Sequence, residues 1–244
     1  MVTAARELIA LAAARDIPIR LLGGVAIWVR ATPPARAALA RPYPDIDLVA
    51  HKRQSRELRR ALEEEGFVPE RVFNATHGAR RLLYYSPDGG WHVDVFLDTF
   101  EMSHQLDLGS RLETEPLTMP AAELLLTKLQ VAEINAKDLS DVAMLLWDHA
   151  PAPGDGPGLV SLARLTAACG GDWGLYTTVT DNLSRAVVVF GQLPLPAADR
   201  GRVAERAQVI AGALEAAPKT LGWRARAKVG RRVRWYQVPE EVVR

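Results

Sequence analysis

Two aspartates one residue apart, Asp45 and Asp47, open an otherwise apolar run, "DIDLVA", and a third, Asp94, stands inside "HVDVFL". Side chains alternate along a strand, so Asp45 and Asp47 share a face, roughly 7 Å apart at the backbone. Without a counter-charge two such carboxylates repel, and one has its pKa raised. A divalent cation removes that penalty. Hard oxygen ligands at this spacing suit magnesium, which keeps its other positions for water and phosphate oxygens. Asp94, flanked by Val93, Val95, Phe96 and Leu97, would complete a two-metal site from a neighbouring strand. The plainer alternative for each aspartate is a strand end pointing into water. An Asp-x-Asp alone does not decide between them, because fourteen aspartates in 244 residues supply about one such pair by chance.

Gly23-Gly24 adds a second feature. It stands between an apolar strand pattern, "IPIRLL", and an apolar helix start, "VAIWVR". A backbone without side chains at that junction can approach an anion and present helix N-terminal amides to a phosphate. Taken singly, a Gly-Gly is more often a tight turn.

The elements that must hold these residues follow from periodicity. The spacing predicts a helix from about Thr3 to Arg15, a strand around Ile17–Leu22, a proline-rich connection through "ATPPARAALARPYP", and a strand at 45–50. "KRQSRELRRALEEEG" reads as a charged helix ending at Gly66 with Leu58, Ala61 and Leu62 inward. "RRLLYYSPDGGWHVDVFLD" reads as a hairpin turned at Pro87-Asp88-Gly89-Gly90. Beyond Phe100 the strand signals fade. "PAAELLLTKLQVAEI" and "DLSDVAMLLWDH" are helical, "APAPGDGPG" is a linker, and three more helical stretches follow near 159–169, 174–190 and 197–216. The expectation is an α+β chain: a mixed sheet flanked by helices over 1–115, then a helical part over 116–244 with a basic tail.

Composition bounds the rest. A hydrophobic fraction of 48%, a charged fraction of 24% and a net charge of +1 are ordinary for a globular protein and carry no global field toward nucleic acid or membrane. One cysteine, Cys169 in an apolar helical run, excludes an internal disulfide, and five scattered histidines lack ligand spacing. With no run of eighteen apolar residues and no signal peptide pattern, a cytoplasmic protein without a membrane partner is the expectation.

Gly23-Gly24, then Asp45-Ile46-Asp47, then Asp94 resembles the nucleotidyltransferase superfamily of DNA polymerase β type. The downstream "LLLTKLQVAEINAKDLSDVAMLL" looks like its AbiEii-like branch. The resemblance covers roughly residues 17 to 147. It implies a mixed sheet with the cleft above the aspartate strands. Asp45, Asp47 and Asp94 would be the catalytic carboxylates, holding two Mg2+ ions, and an NTP such as ATP would be the co-substrate. Gly23, Gly24 and Lys128 would contact the triphosphate, with Asp141 or Asp138 as a further acid at the cleft. The chain departs from the pattern in the twenty residues between Gly24 and Asp45, and in Pro44, where the family often carries a small hydroxyl residue. Arg80 and Arg81, or Thr76 and His77, stand where some members carry basic and hydroxyl residues. Read without the family, Lys128 is a lysine at the margin of an apolar stripe. Asp138 and Asp141 are one turn apart, as acids favoured at a helix start would be.

The tail is locally basic. Seven Lys or Arg residues lie between Lys219 and Arg234, with Trp223, Trp235 and Tyr236 interleaved and no acid between Glu215 and Glu240. Arg224, Arg226, Lys228 and Arg231 suit a phosphate backbone or an acceptor such as RNA or tRNA. They equally suit a helix docked by its aromatics onto an acidic surface. Three functions therefore stand: transfer of a nucleotidyl group to RNA or to a small-molecule hydroxyl, a non-catalytic nucleotide- or partner-binding module, and a phosphohydrolase using the same metals on water.

Overall fold

A computed structural model describes residues 1–238. Helices α1 (Val2–Ala13), α2 (Gly23–Arg30), α3 (Pro33–Ala38), α4 (Ser55–Glu64) and α5 (Arg71–His77) alternate with strands β1 (Ile19–Leu22), β2 (Asp45–Ala50), β3 (Val68–Pro69), β4 (Arg81–Tyr85) and β5 (His92–Leu97). Two three-residue strands follow, β6 (Thr99–Glu101) and β7 (Gln105–Asp107). Next come α6 (Ala121–Leu129), α7 (Ala136–Asp148), β8 (Ala150–Ala152) and β9 (Leu159–Ser161). Helices α8 (Leu162–Gly171), α9 (Trp173–Phe190), α10 (Ala197–Ala216) and α11 (Leu221–Val229) end the series. The protein is α+β, with a mixed five-stranded sheet and many helices. Its chain forms two compact units. Unit 1 takes Met1–Arg30, Arg41–Phe100 and Asp107–Pro120; unit 2 takes Ala31–Ala40, Glu101–Leu106 and Ala121–Arg244.

Unit 1 is built on the sheet, in the order β1-β2-β5-β4-β3. Strands β2 and β5 run parallel, and the other neighbours are antiparallel. Ile46, Leu48, Val49 and Ala50 on β2, and Val93 and Val95 on β5, are fully buried. Such strands read as near-continuous apolar runs because both faces are covered, and each buried Leu, Ile or Val contributes on the order of 1.5–3 kcal/mol. Helix α1 packs on β1, α2 on β2 and α5 on β4. In α4 the i, i+3, i+4 set Leu58, Ala61, Leu62 is the buried stripe of an otherwise charged helix. The hairpin forms where the sequence places it, with Arg81–Tyr85 paired antiparallel to His92–Phe96.

Unit 2 is helical around α6, which is buried on nearly all sides. Four of its helix starts, those of α7, α8, α9 and α11, are capped by short polar side chains: Asn135 accepts from the Asp138 amide, Ser161 from Arg164, Asp172 from Leu175 and Thr220 from Trp223. The Gly/Pro segment at 153–158 is the loop between β8 and β9, which pair in parallel. Cys169 is buried, and burial pushes its thiol up to about 12, so it is a core residue without thiolate character at neutral pH. Among the described residues no helix is long and apolar enough to cross a membrane.

Candidate functional site

The parallel register of β2 and β5 sets Asp47 beside Asp94 and Asp45 beside His92. Residues opposite each other in a ladder point to the same face, on strands about 4.8 Å apart. One face of the sheet therefore collects Asp45, Asp47 and Asp94, all toward the strand ends where β2 and β5 begin. Only the first two remain open to solvent. Asp45 keeps 30% of its side chain exposed, whereas Asp94 keeps 6%. His92 Nε2 stands 3.7 Å from Asp45 Oδ2.

Gly23 is the second built feature. It opens α2 directly after β1, with φ of +63°, a region that side chains with a Cβ seldom enter. A Cβ at this position would collide with Asp47 Oδ2 and would come within 2.8 Å of its Cγ. The Asp47 carboxylate thus fills the space above the first turn of the helix. At Gly24 a Cβ would meet the Tyr43 ring at 2.7 Å. Arg41 lies against the same glycine, its guanidinium 4.1 Å from the Tyr43 ring centroid. Sequence reasoning passed over Arg41, because one arginine in a proline-rich connection carries no periodic or motif signal.

Asp94 is held by Arg81. Two parallel hydrogen bonds join them, Arg81 Nε to Asp94 Oδ1 at 2.7 Å and Arg81 Nη2 to Asp94 Oδ2. This is the fork-to-fork geometry that makes arginine a strong carboxylate ligand. Burial works against the Arg81 charge. The Asp94 hydrogen bond and charge, with Asp47 and Asp45 behind it, outweigh burial and raise its pKa above the ordinary arginine value. The guanidinium also lies over two rings, 4.9 Å from the Phe96 centroid and 5.4 Å from that of Phe73. Arg80, its neighbour, is exposed.

The remaining predicted site residues lie in unit 2. Lys128, on the last turn of α6, donates to Asp138 at 2.7 Å and pairs with Asp141 at 3.0 Å. Burial opposes the ammonium, but the Asp141 and Asp138 carboxylates more than offset it and raise its pKa. Asp141 keeps 1% of its side chain exposed, so this cluster is closed. In the tail, Arg226 donates to the Gly230 and Val233 carbonyls and lies 4.7 Å over the Trp173 ring. Arg231 pairs with Asp181 at 2.7 Å and lies over Trp235. Lys219 caps the end of α10 through the carbonyls of Leu214 and Ala217. Arg224 and Lys228 are exposed.

Among the described residues, no group of three or more His, Cys, Asp or Glu is arranged to hold a metal ion. The residues fit such an ion in part. Asp45 and Asp47 are hard, half-open oxygen donors on one face, while both oxygens of Asp94 are given to Arg81.

No family model and no curated protein matches the chain. Among solved structures it is similar to the solution structure of antibiotic-resistance factor ANT(2'')-Ia, at 14% identity and a TM-score of 0.42, covering 78% of this chain and 95% of that one.

Proposed function

We propose that the carboxylate face of unit 1 is the active site of a metal-dependent nucleotidyltransferase. It transfers a nucleoside monophosphate from an NTP to a hydroxyl acceptor and releases pyrophosphate. The observation that carries this reading is the β2–β5 register, which sets Asp47 beside Asp94 with Asp45 one pleat away, directly against the glycine start of α2. Phosphoryl transfer asks little covalent chemistry of a protein; it asks for charge neutralisation and in-line placement. When bound, divalent ions would neutralise the triphosphate and lower the pKa of the attacking hydroxyl. Asp45 and Asp47 would hold them, joined by Asp94 once its oxygens are released.

The chain's own groups supply the rest. The first-turn amides of α2 would donate to phosphate oxygens once the Asp47 carboxylate, which fills the space above Gly23, has turned to a metal. Arg41, lying at Gly24, brings a positive charge to the same turn. The acceptor oxygen, its proton passed to solvent, attacks the α-phosphorus as the bond from that phosphorus to pyrophosphate breaks. Because Lys219, Arg226 and Arg231 are turned to carbonyls or to Asp181 of their own unit, the tail presents less charge than its composition promised. A small-molecule hydroxyl is therefore the first acceptor class to test, with RNA second.

One observation favours a second reading. With Asp94 neutralised by Arg81, the face could serve as a non-catalytic nucleotide- or partner-binding module. The test is incubation of the protein with each α-labelled NTP, Mg2+ and pools of small metabolites, RNA and protein, alongside Asp47→Ala. Label in one pool that disappears in the variant supports transfer. Nucleotide binding without label in any pool supports the binding module instead.

A further inference from the structure

We propose that Arg81 is an exchangeable counter-ion of the site: it neutralises Asp94 while the metal is away and moves onto the triphosphate when metal and nucleotide arrive. The proposal rests on the nucleotidyltransferase reading and adds a positioning residue to it. Three features of the structure carry it. Both oxygens of Asp94 are engaged by one guanidinium, so neither can take a metal until Arg81 leaves. Asp94 is too buried to stand charged alone, so whichever cation leaves it must be replaced by another. After Asp94, the Asp47 and Asp45 carboxylates also favour the Arg81 charge, so the guanidinium stands in the field of the whole face.

The surroundings suit a side chain with two positions. Phe96 and Phe73 flank the guanidinium and offer it a π surface. Arg81 is the first residue of β4, following a turn at Gly78, and 18% of its side chain is exposed. An exchange leaves neither charge alone: the divalent ion replaces Arg81 at Asp94, and the arriving triphosphate supplies the anion that Arg81 loses. A planar fork matches phosphate oxygens as well as it matches a carboxylate.

The two halves of the proposal give effects of opposite sign, which a merely structural residue would not. Mn2+ binding to the full chain without nucleotide is read by electron paramagnetic resonance. Tripolyphosphate binding in the presence of Mn2+ is read by calorimetry, so that no base preference enters. In Arg81→Met, Mn2+ affinity is expected to rise on the order of tenfold, because its competitor is gone, while tripolyphosphate affinity falls by a similar factor. Arg81→Lys, which keeps the charge but loses the fork, should lie between and guards against misfolding of the first variant. Equal Mn2+ affinity in the wild type and both variants, with binding lost in Asp47→Ala, would leave the metal site standing and overturn the role of Arg81. Absence of Mn2+ binding in the wild type and both variants would overturn the metal-dependent reading itself and the exchange with it.

Discussion

Two clusters in this molecule set buried cations against carboxylates, and they are built to different ends. Around Lys128, one ammonium is closed between Asp138 and Asp141, the latter with 1% of its side chain exposed. Around Arg81, one guanidinium forks onto buried Asp94, while Asp45 and Asp47 stand half-open on the same face. The first cluster lies between the end of one helix and the first turns of the next, and every charge in it touches its opposite. The second spans three strands and keeps Asp45 and Asp47 within reach of solvent. A closed ion cluster holds structure together; a half-open one leaves carboxylates that a cation can reach.

The comparison can be broken most sharply at Asp141. Asp141→Ala strips Lys128 of a buried partner, so denaturant melts should show a loss of about 3–5 kcal/mol. An equally large loss in Asp45→Ala would erase the distinction between the clusters. Gly23→Ala comes next. Its Cβ collides with Asp47 and its φ is positive, so it should destabilise by about 2 kcal/mol or more and abolish any metal-dependent transfer. Asp45→Asn should change stability by less than about 1 kcal/mol, because it removes a partly solvated charge from a like-charged face, yet it should depress transfer strongly.

The smallest effect concerns pH and lies in unit 2. His104 is buried, with Nε2 at 2.8 Å from Thr178 Oγ1, to which Trp235 Nε1 also donates at 3.1 Å. Burial lowers its pKa below 6.5, with Asp172 working in the opposite direction. The unfolded chain therefore takes up the proton first. Stability is full above about pH 6.5 and falls as the pH drops through the folded value. His104→Gln, which keeps a hydrogen-bonding group, should flatten the dependence of the melting temperature between pH 7.5 and 5.5.

Much of unit 1 was legible because its strands are buried on both faces. An aspartate among Val93, Val95, Phe96 and Leu97 stands out against such a background, and Pro87-Asp88-Gly89-Gly90 marks its own turn. What pattern could not convey is which strands run parallel, and hence that Asp47 meets Asp94 rather than its neighbour on either side. Nor could it assign Arg81, since two successive arginines at a strand start look alike until register sends one inward. The short β8 and β9 went unread for a different reason. Three residues on either side of a Gly/Pro loop carry too few periods to show alternation. Nor could composition show that three tail cations, Arg226, Lys219 and Arg231, lie over the rings of Trp173, Tyr176 and Trp235.

The central claim is that Asp45, Asp47 and Asp94 are the working face of a nucleotidyl transfer site. The most direct measurement is transfer of α-labelled nucleotide to acceptor pools in the presence of Mg2+, comparing the wild type with Asp47→Ala, after thermal melts show that both are folded. Label in one pool for the wild type and none for the variant is the expected result. Equal labelling by both proteins would contradict it, as would a folded wild type that labels no pool with any of the four nucleotides.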